Sequence, residues 1–87
     1  MRLDLFLNAS RLCPRRTVAQ QLCDAGLVLI NGRPSKSAHP VKIGDRISLR
    51  WRDRLLVVRV VTVPARTQIS RAEASALTEI VSDTAST

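Results

Sequence analysis

Three arginines stand close together where a predicted helix begins, a position suited to binding phosphate. Arg11, Arg15 and Arg16 flank or open a helix predicted over 14–25, with Pro14 at its first position. Free backbone N–H groups at a helix N-terminus, together with arginines, form a receptor for phosphate, although a solvated basic turn is the alternative interpretation. Cations there oppose the helix dipole. If Arg16 serves to bind the phosphates of an RNA, Arg16→Ala should therefore leave stability unchanged or slightly raised.

The overall charge also indicates a polyanionic partner. The chain has 87 residues with fourteen basic and seven acidic side chains, a net charge of +7 and a pI near 11.3. Residues 1–63 carry twelve basic and four acidic side chains, whereas residues 64–87 carry two and three. Twelve of the fourteen cations are arginines, whose planar fork binds phosphate and base edges in a bidentate manner.

Further polar residues extend the candidate RNA surface. Gln20 lies one helical turn after Arg16, so both side chains can face the same groove. Arg2 precedes the first predicted helix, and Arg33 and Lys36 lie in a polar loop predicted over 33–40. The sequence therefore predicts RNA contacts from a helix N-terminus, a loop and the chain start.

The pattern of apolar residues predicts helices followed by strands. A first helix over about 2–9 and the second over 14–25 each show one apolar face: Leu3, Phe6 and Leu7, then Ala19, Leu22 and Cys23. Strands are predicted over 27–30, 47–51 and 55–61, with a turn at Asn31-Gly32. On the middle strand, apolar side chains alternate with arginines that are either solvated or part of the RNA surface.

The last third of the chain is predicted as a separate short segment. Pro64 ends the last strand, and Ser70 with Glu73 has the spacing of a capping box for a helix over 71–81. Residues 82–87 are expected to be frayed. The division is therefore an RNA-binding domain at 1–63 and a helix with a tail at 64–87.

Neither a catalytic nor a metal site is predicted. The chain has one histidine and two cysteines, which are too few ligands for a structural zinc site. Its three glycines are isolated, so no glycine-rich loop of the phosphate-binding type is present. We therefore expect a binding module, without cofactor or metal and not an enzyme. The absence of a long apolar stretch predicts a cytoplasmic protein with no membrane partner. Cys23 is expected to be buried, so Cys23→Ser is expected to destabilise the fold, whereas Cys13→Ser is expected to change stability little.

An ordered series of motifs runs through the first fifty residues: Arg2-Leu3-Asp4, Ser10-Arg11, Arg15-Arg16-Thr17, Ile30-Asn31-Gly32 and Gly44-Asp45. The series resembles the RNA-binding domain named after ribosomal small-subunit protein S-four. That resemblance implies an α+β fold of the alpha-L type, with two short helices on a small bent antiparallel sheet, here followed by a short C-terminal helix. It implies a role for Asp4 in orienting the nearby arginines and RNA-binding roles for five residues: Arg2, Arg11, Arg15, Arg16 and Lys36.

Among stand-alone copies of this domain, the chain resembles the RqcP family of bacterial ribosome-associated quality control, and also the fifteen-kilodalton heat-shock family. The segment 66–74 is similar to a segment of both. The first resemblance implies binding to large-subunit rRNA and peptidyl-tRNA on the large ribosomal subunit of stalled, split ribosomes. It also implies assistance to an RqcH-type factor in C-terminal alanine tailing. A heat-shock-type recycling factor and a module that recruits an RNA-modifying enzyme are the alternatives.

Overall fold

Two helices open the chain and pack against each other. The computed structural model describes residues 1–85, in which α1 spans Leu3–Ala9 and α2 spans Arg16–Asp24. The predicted apolar face of α1 is confirmed, since Leu3, Phe6 and Leu7 are fully buried. On α2, Ala19 and Cys23 are buried while Leu22 packs at the edge of the core. Within residues 1–85, no helix is long and apolar enough to cross a membrane.

The start of α2 differs from the prediction. Pro14 does not occupy the first helical position, because the helix begins at Arg16 and Arg15 is its extended N-cap residue. The backbone before it is held by α1: the Cys13 N–H donates to the Leu7 carbonyl at 3.0 Å, and the Asn8 amide donates to the Pro14 carbonyl at 3.3 Å. These bonds keep the connecting turn on the end of α1, so α2 starts two residues later.

The end of α2 is fixed by a glycine. Gly26 adopts φ +75°, in the left-handed region that side chains disfavour. Its N–H donates to the Cys23 carbonyl and the Leu27 N–H donates to the Leu22 carbonyl, both at 3.0 Å. This pair of bonds is a Schellman motif, which satisfies the last carbonyls of the helix and turns the chain into the sheet.

Five antiparallel strands form one sheet in the order β2-β1-β3-β4-β5. Their bounds are β1 Val28–Ile30, β2 Arg33–Pro34, β3 Arg46–Trp51, β4 Arg54–Val60 and β5 Thr78–Ala85. The turn at Asn31-Gly32 is confirmed, with both residues at positive φ as a two-residue hairpin requires. The predicted loop over 33–40 therefore begins as a short strand, because the tight turn returns the chain against β1.

One face of the sheet forms the core with the helices. Ile47 and Leu49 of β3 are buried, whereas Arg46 and Arg50 are exposed, so the predicted alternation is confirmed. The buried side chains of β1 and β4 face the same core. The arginines on the other face are left in solvent, which keeps the sheet's outer surface basic.

The C-terminal helix is much shorter than predicted. Helix α3 spans Arg71–Ser75, and the Ser70 hydroxyl accepts the Glu73 N–H at 3.1 Å, which confirms the Ser70 half of the predicted capping box. Residues 78–81, predicted as helix, instead belong to β5, which pairs with β4. The strand covers an edge of β4 that would otherwise be unpaired, and Ile80 and Val81 favour strands because they are β-branched. The prediction that residues 82–87 are frayed is wrong up to residue 85, since residues 82–85 belong to β5, and Ser86 and Thr87 lie outside the described residues.

Both cysteines are buried thiols, which corrects the expectation for Cys13. Cys13 is 0% exposed and Cys23 is 5% exposed. Burial raises the pKa of both thiols to about 11, with a smaller contribution from Cys23 at Cys13 and from Asp4 at Cys23. The thiols are therefore protonated at neutral pH and are poor nucleophiles.

We predict that Cys13→Ser and Cys23→Ser each lower the free energy of unfolding by about 1–3 kcal/mol, since each places a hydroxyl in an apolar site. Urea unfolding of the two variants beside the parent chain measures this. An unchanged midpoint for Cys13→Ser would contradict its position in the core.

Candidate nucleic-acid interface

A buried carboxylate lies at the centre of the candidate site. Asp4 is 0% exposed in the first turn of α1. Its Oδ1 accepts from the Arg2 Nε at 2.7 Å and from the Leu5 N–H at 2.9 Å. Its Oδ2 accepts from the Arg16 Nε at 3.1 Å and the Gln20 Nε2 at 3.0 Å. Three predicted site residues, separated by up to eighteen positions in the chain, therefore meet at one side chain.

The environment of Asp4 keeps it ionised. Burial by itself raises the pKa of this carboxyl, but hydrogen bonds from Gln20, Arg16, Arg2 and the Leu5 N–H together hold the pKa below its ordinary value of 3.8. An ionised Asp4 accepts all four bonds at once, since a carboxylate has about four acceptor positions. The cluster thus carries one negative charge under two positive ones, which leaves net positive charge at the surface.

This pKa shift predicts a loss of stability in acid. A carboxyl with a depressed pKa stabilises the folded chain fully above its ordinary value of 3.8, and this stabilisation disappears as the pH falls through the lower folded value. The exposed Asp83 also has a lowered pKa, through its hydrogen bond with Arg54. Because solvent screens the exposed Arg54–Asp83 pair, its share of the acid loss is small. Urea midpoints below pH 4 should therefore fall nearly as steeply in Asp83→Asn as in the parent chain, and clearly less steeply in Asp4→Asn. Equal slopes for the parent and Asp4→Asn would contradict this assignment.

The two arginines on Asp4 remain partly exposed to solvent. The Arg2 side chain is 38% exposed and that of Arg16 is 49% exposed. Each uses its Nε for Asp4, and within residues 1–85 their terminal amino groups have no other hydrogen-bond partner. A guanidinium fixed through Nε keeps its outer edge available for bidentate contact with phosphate.

Arg11 and Arg15 lie on the turn between the helices but are held differently. Arg15 is the exposed N-cap of α2, and its side chain has no hydrogen bond within the described residues. Arg11 adopts φ +62°, and its Nη2 donates to the Ile69 carbonyl at 3.2 Å. Arg11 therefore also ties the turn to the segment before α3, a tertiary role that the sequence pattern did not indicate.

The loop after β2, which carries Lys36, is attached to the start of α1. The Leu3 N–H donates to the His39 carbonyl at 2.8 Å, and the Asp4 N–H donates to the Ser37 carbonyl at 3.1 Å. These bonds satisfy free N–H groups at the start of α1 and attach the loop to it. The loop and the β1–β2 hairpin line an open groove of about 830 Å³ that includes Arg33, Lys36 and His39.

His39 is a residue of this groove that the sequence analysis did not select. Its carbonyl fixes the loop to α1, and its exposed side chain lies on the same groove as the two cations. A single histidine in a Pro-flanked loop gave no signal for this position, because the contact is made through the backbone. Among residues 1–85, no cluster of histidine, cysteine, aspartate and glutamate could hold a metal ion.

The arrangement is suited to binding the backbone of a folded nucleic acid. Arg2, Arg16 and Gln20 share Asp4, Arg15 and Arg11 stand at the neighbouring turn, and the β2 loop adds further cations. The set offers exposed guanidinium groups at fixed positions, which favours recognition of phosphates and shape.

Sequence comparisons identify relatives along nearly the whole chain. The S4 domain matches residues 1–47. A protein of Streptococcus pneumoniae named RQC P-site tRNA stabilizing factor is 37% identical over 84 residues, covering 97% of this chain and 93% of its own length. A protein of the same name from Halalkalibacterium halodurans is 39% identical over 80 residues, with 92% and 89% covered. One from Bacillus subtilis is 45% identical over 60 residues, with 69% and 70% covered.

A solved structure agrees with the fold. The trimeric structure of Heat Shock Protein 15 from Vibrio cholerae superposes with a TM-score of 0.84 at 27% identity, covering 93% of this chain and 81% of that one. The α+β fold predicted from the motifs is thereby confirmed, as are the S4-type domain and its RNA-binding character. The chain belongs to the S4-domain proteins and, among them, to the RqcP family of RQC P-site tRNA stabilizing factors.

Proposed function

We propose that this chain binds large-subunit rRNA and peptidyl-tRNA on large ribosomal subunits left by stalled, split ribosomes. In this proposal it acts without catalysis, as a factor that holds the tRNA in place. The contacts come from Arg2, Arg11, Arg15, Arg16, Gln20, Arg33 and Lys36. Such a factor acts in the cytoplasm, where translation takes place.

The observation that carries the proposal is the Asp4 cluster. An arginine placed only for solubility has no need of a buried carboxylate beneath it, and burying a carboxylate costs stability unless its partners compensate. Here the carboxylate fixes two guanidinium groups through their Nε atoms, on side chains that stay partly exposed. Fixing them in advance reduces the conformational entropy lost when RNA binds.

The names of the relatives support the proposed binding of tRNA. The relatives from three species share the name RQC P-site tRNA stabilizing factor, and two of them align over about nine-tenths of this chain or more. We further propose that the chain assists an RqcH-type factor in adding a C-terminal alanine tail to the trapped nascent chain. Stabilised peptidyl-tRNA is the substrate such a tailing reaction requires.

The test compares two forms of the large subunit. The chain is sedimented with large subunits that carry peptidyl-tRNA in the P site and with vacant subunits, at matched salt. We expect the apparent Kd to be at least about tenfold lower for the occupied subunits, since each charge-assisted contact to tRNA contributes about 1.5–3 kcal/mol. Equal affinity for both forms would contradict the tRNA contact.

A second candidate function is recycling of large subunits of the heat-shock type, without tailing. The structural similarity to Heat Shock Protein 15 favours it. The two functions are separated by adding the purified chain to a reconstituted alanine-tailing reaction. An increase in tail length supports the first function, whereas release of peptidyl-tRNA without longer tails supports the second.

A further inference from the structure

An apolar cavity lies at the open end of the sheet, beside the turn that carries Arg15. Its volume is about 510 Å³. It is lined by residues of β3, of β4 and of the turn before α2; the apolar part of the lining is Leu12, Pro14, Leu49, Trp51 and Leu56. Ligand-binding cavities have this size and this mainly apolar character.

Trp51 is the aromatic wall of the cavity. It is the last residue of β3 and is only half-buried, unlike Ile47 and Leu49 on the same face. It lies directly opposite Arg54 of β4 in the strand register. The chain contains one tryptophan and one phenylalanine, and Phe6 is fully buried, so of these two side chains only Trp51 is available for stacking.

The polar rim is mixed in charge. Arg54 donates its Nε and Nη2 to the Asp83 carboxylate at 2.7 and 2.6 Å, and both Arg52 and Asp53 line the cavity at the β3–β4 turn. A bare phosphate would meet carboxylates as well as guanidinium groups at this rim. A nucleobase has both donors and acceptors along its edge and an apolar face, which matches a mixed rim around an apolar wall.

The lining of the cavity includes the residue just before Arg15, one of the proposed RNA contacts. Pro14 lines it, and the next residue along the chain is the exposed Arg15 at the start of α2. Arg52 stands exposed on the other side. Exposed cations therefore follow the cavity lining at Pro14 and form part of it at Arg52, where the phosphates next to a bound base would need positive charge.

We propose that the cavity takes one unstacked nucleobase of the bound RNA, stacked on the Trp51 indole. This inference rests on the proposed RNA-binding function and adds a site to it that lies apart from the Asp4 cluster. Unstacked bases in RNA complexes stack on aromatic side chains in this way, with little dependence on sequence.

The test uses Trp51 as its own probe, because it is the single tryptophan. The parent chain is titrated with single-stranded oligoadenylate and with an abasic ribose-phosphate oligomer of the same length, while tryptophan emission is recorded. We expect oligoadenylate to quench the emission and the abasic oligomer to bind without quenching it. This measurement needs no variant and so does not depend on a substitution being tolerated.

Anisotropy of labelled oligomers then tests the energy of stacking. Trp51→Leu should weaken oligoadenylate binding by about tenfold, while Trp51→Phe keeps most of the affinity and neither changes binding of the abasic oligomer. Equal binding of both oligomers without quenching would overturn the base site but leave RNA binding in place. A response of Trp51 to a leucine-rich peptide, with none to oligoadenylate, would overturn it in favour of a protein partner. Failure to sediment with occupied large subunits would overturn the proposed function itself.

Discussion

Asp4→Asn is expected to weaken both the fold and the binding of RNA. The asparagine amide keeps one acceptor oxygen but turns an NH₂ group toward donors that the carboxylate now satisfies. Leaving such groups unpaired costs about 1–3 kcal/mol, with more for charged partners, and the partial exposure of Arg2 and Arg16 limits the loss. We therefore expect about 2 kcal/mol less stability, which lowers the Tm by roughly 4–8 °C per kcal/mol in a chain of this size.

The effect of Asp4→Asn on binding separates a positioning role from a purely structural one. If Asp4 acts partly by holding Arg16, the double variant Asp4→Asn/Arg16→Ala should lose less affinity than the sum of the two single losses. The loss beyond that of Arg16→Ala alone comes from Arg2 and Gln20, which Asp4 also holds. Asp24→Asn is the matched control, because Asp24 is exposed at the end of α2 and its substitution removes the same negative charge. Affinities that fall additively in the double variant would show that Asp4 does not act through Arg16.

Local patterns predicted most of the fold. The apolar spacing of α1 and the alternation along β3 were sufficient, because each element buries one face against the same core. The start of α2 was misplaced because Asn8 and Leu7 hold the preceding turn through bonds that have no sequence signature. The segment after α3 is predicted as helix because the spacing of its apolar residues fits a helix as well as a strand. Only the free edge of β4, a tertiary feature, determines that it is a strand.

The sequence predicts which residues form the candidate site but not how they are arranged. Residue type and position indicate the cations, and the resemblance to the S4 domain implies the role of Asp4. The sequence did not show that Arg11 bonds to the Ile69 carbonyl, or that His39 lies on the same groove as Lys36. Both depend on backbone groups, whose positions follow from packing rather than from residue type.

Arg16→Ala is expected to reduce binding far more than stability. The variant loses a half-exposed hydrogen bond to Asp4, so its stability should fall slightly rather than stay unchanged or rise. Asp4 keeps its bonds to Arg2, Gln20 and the Leu5 N–H, and removing a cation from the first turn of α2 returns part of the loss. The net change in unfolding free energy should stay within about 1 kcal/mol.

Binding should fall about tenfold or more for Arg16→Ala, because a charge-assisted contact to RNA contributes about 1.5–3 kcal/mol. Arg16→Lys should recover only part of this, since an ammonium cannot reproduce the bidentate fork. Arg71→Ala is the matched control: Arg71 is exposed on α3, and its loss changes the net charge equally.

The affinity of Arg16→Ala for large subunits carrying peptidyl-tRNA, measured by sedimentation beside Arg71→Ala and the parent chain, tests the central claim most directly. We predict a Kd raised about tenfold or more for Arg16→Ala, with Arg71→Ala close to the parent chain. Equal affinities for the two variants, with Arg16→Ala instead losing several kcal/mol of stability, would show that the Asp4 cluster serves the fold and that RNA binds elsewhere.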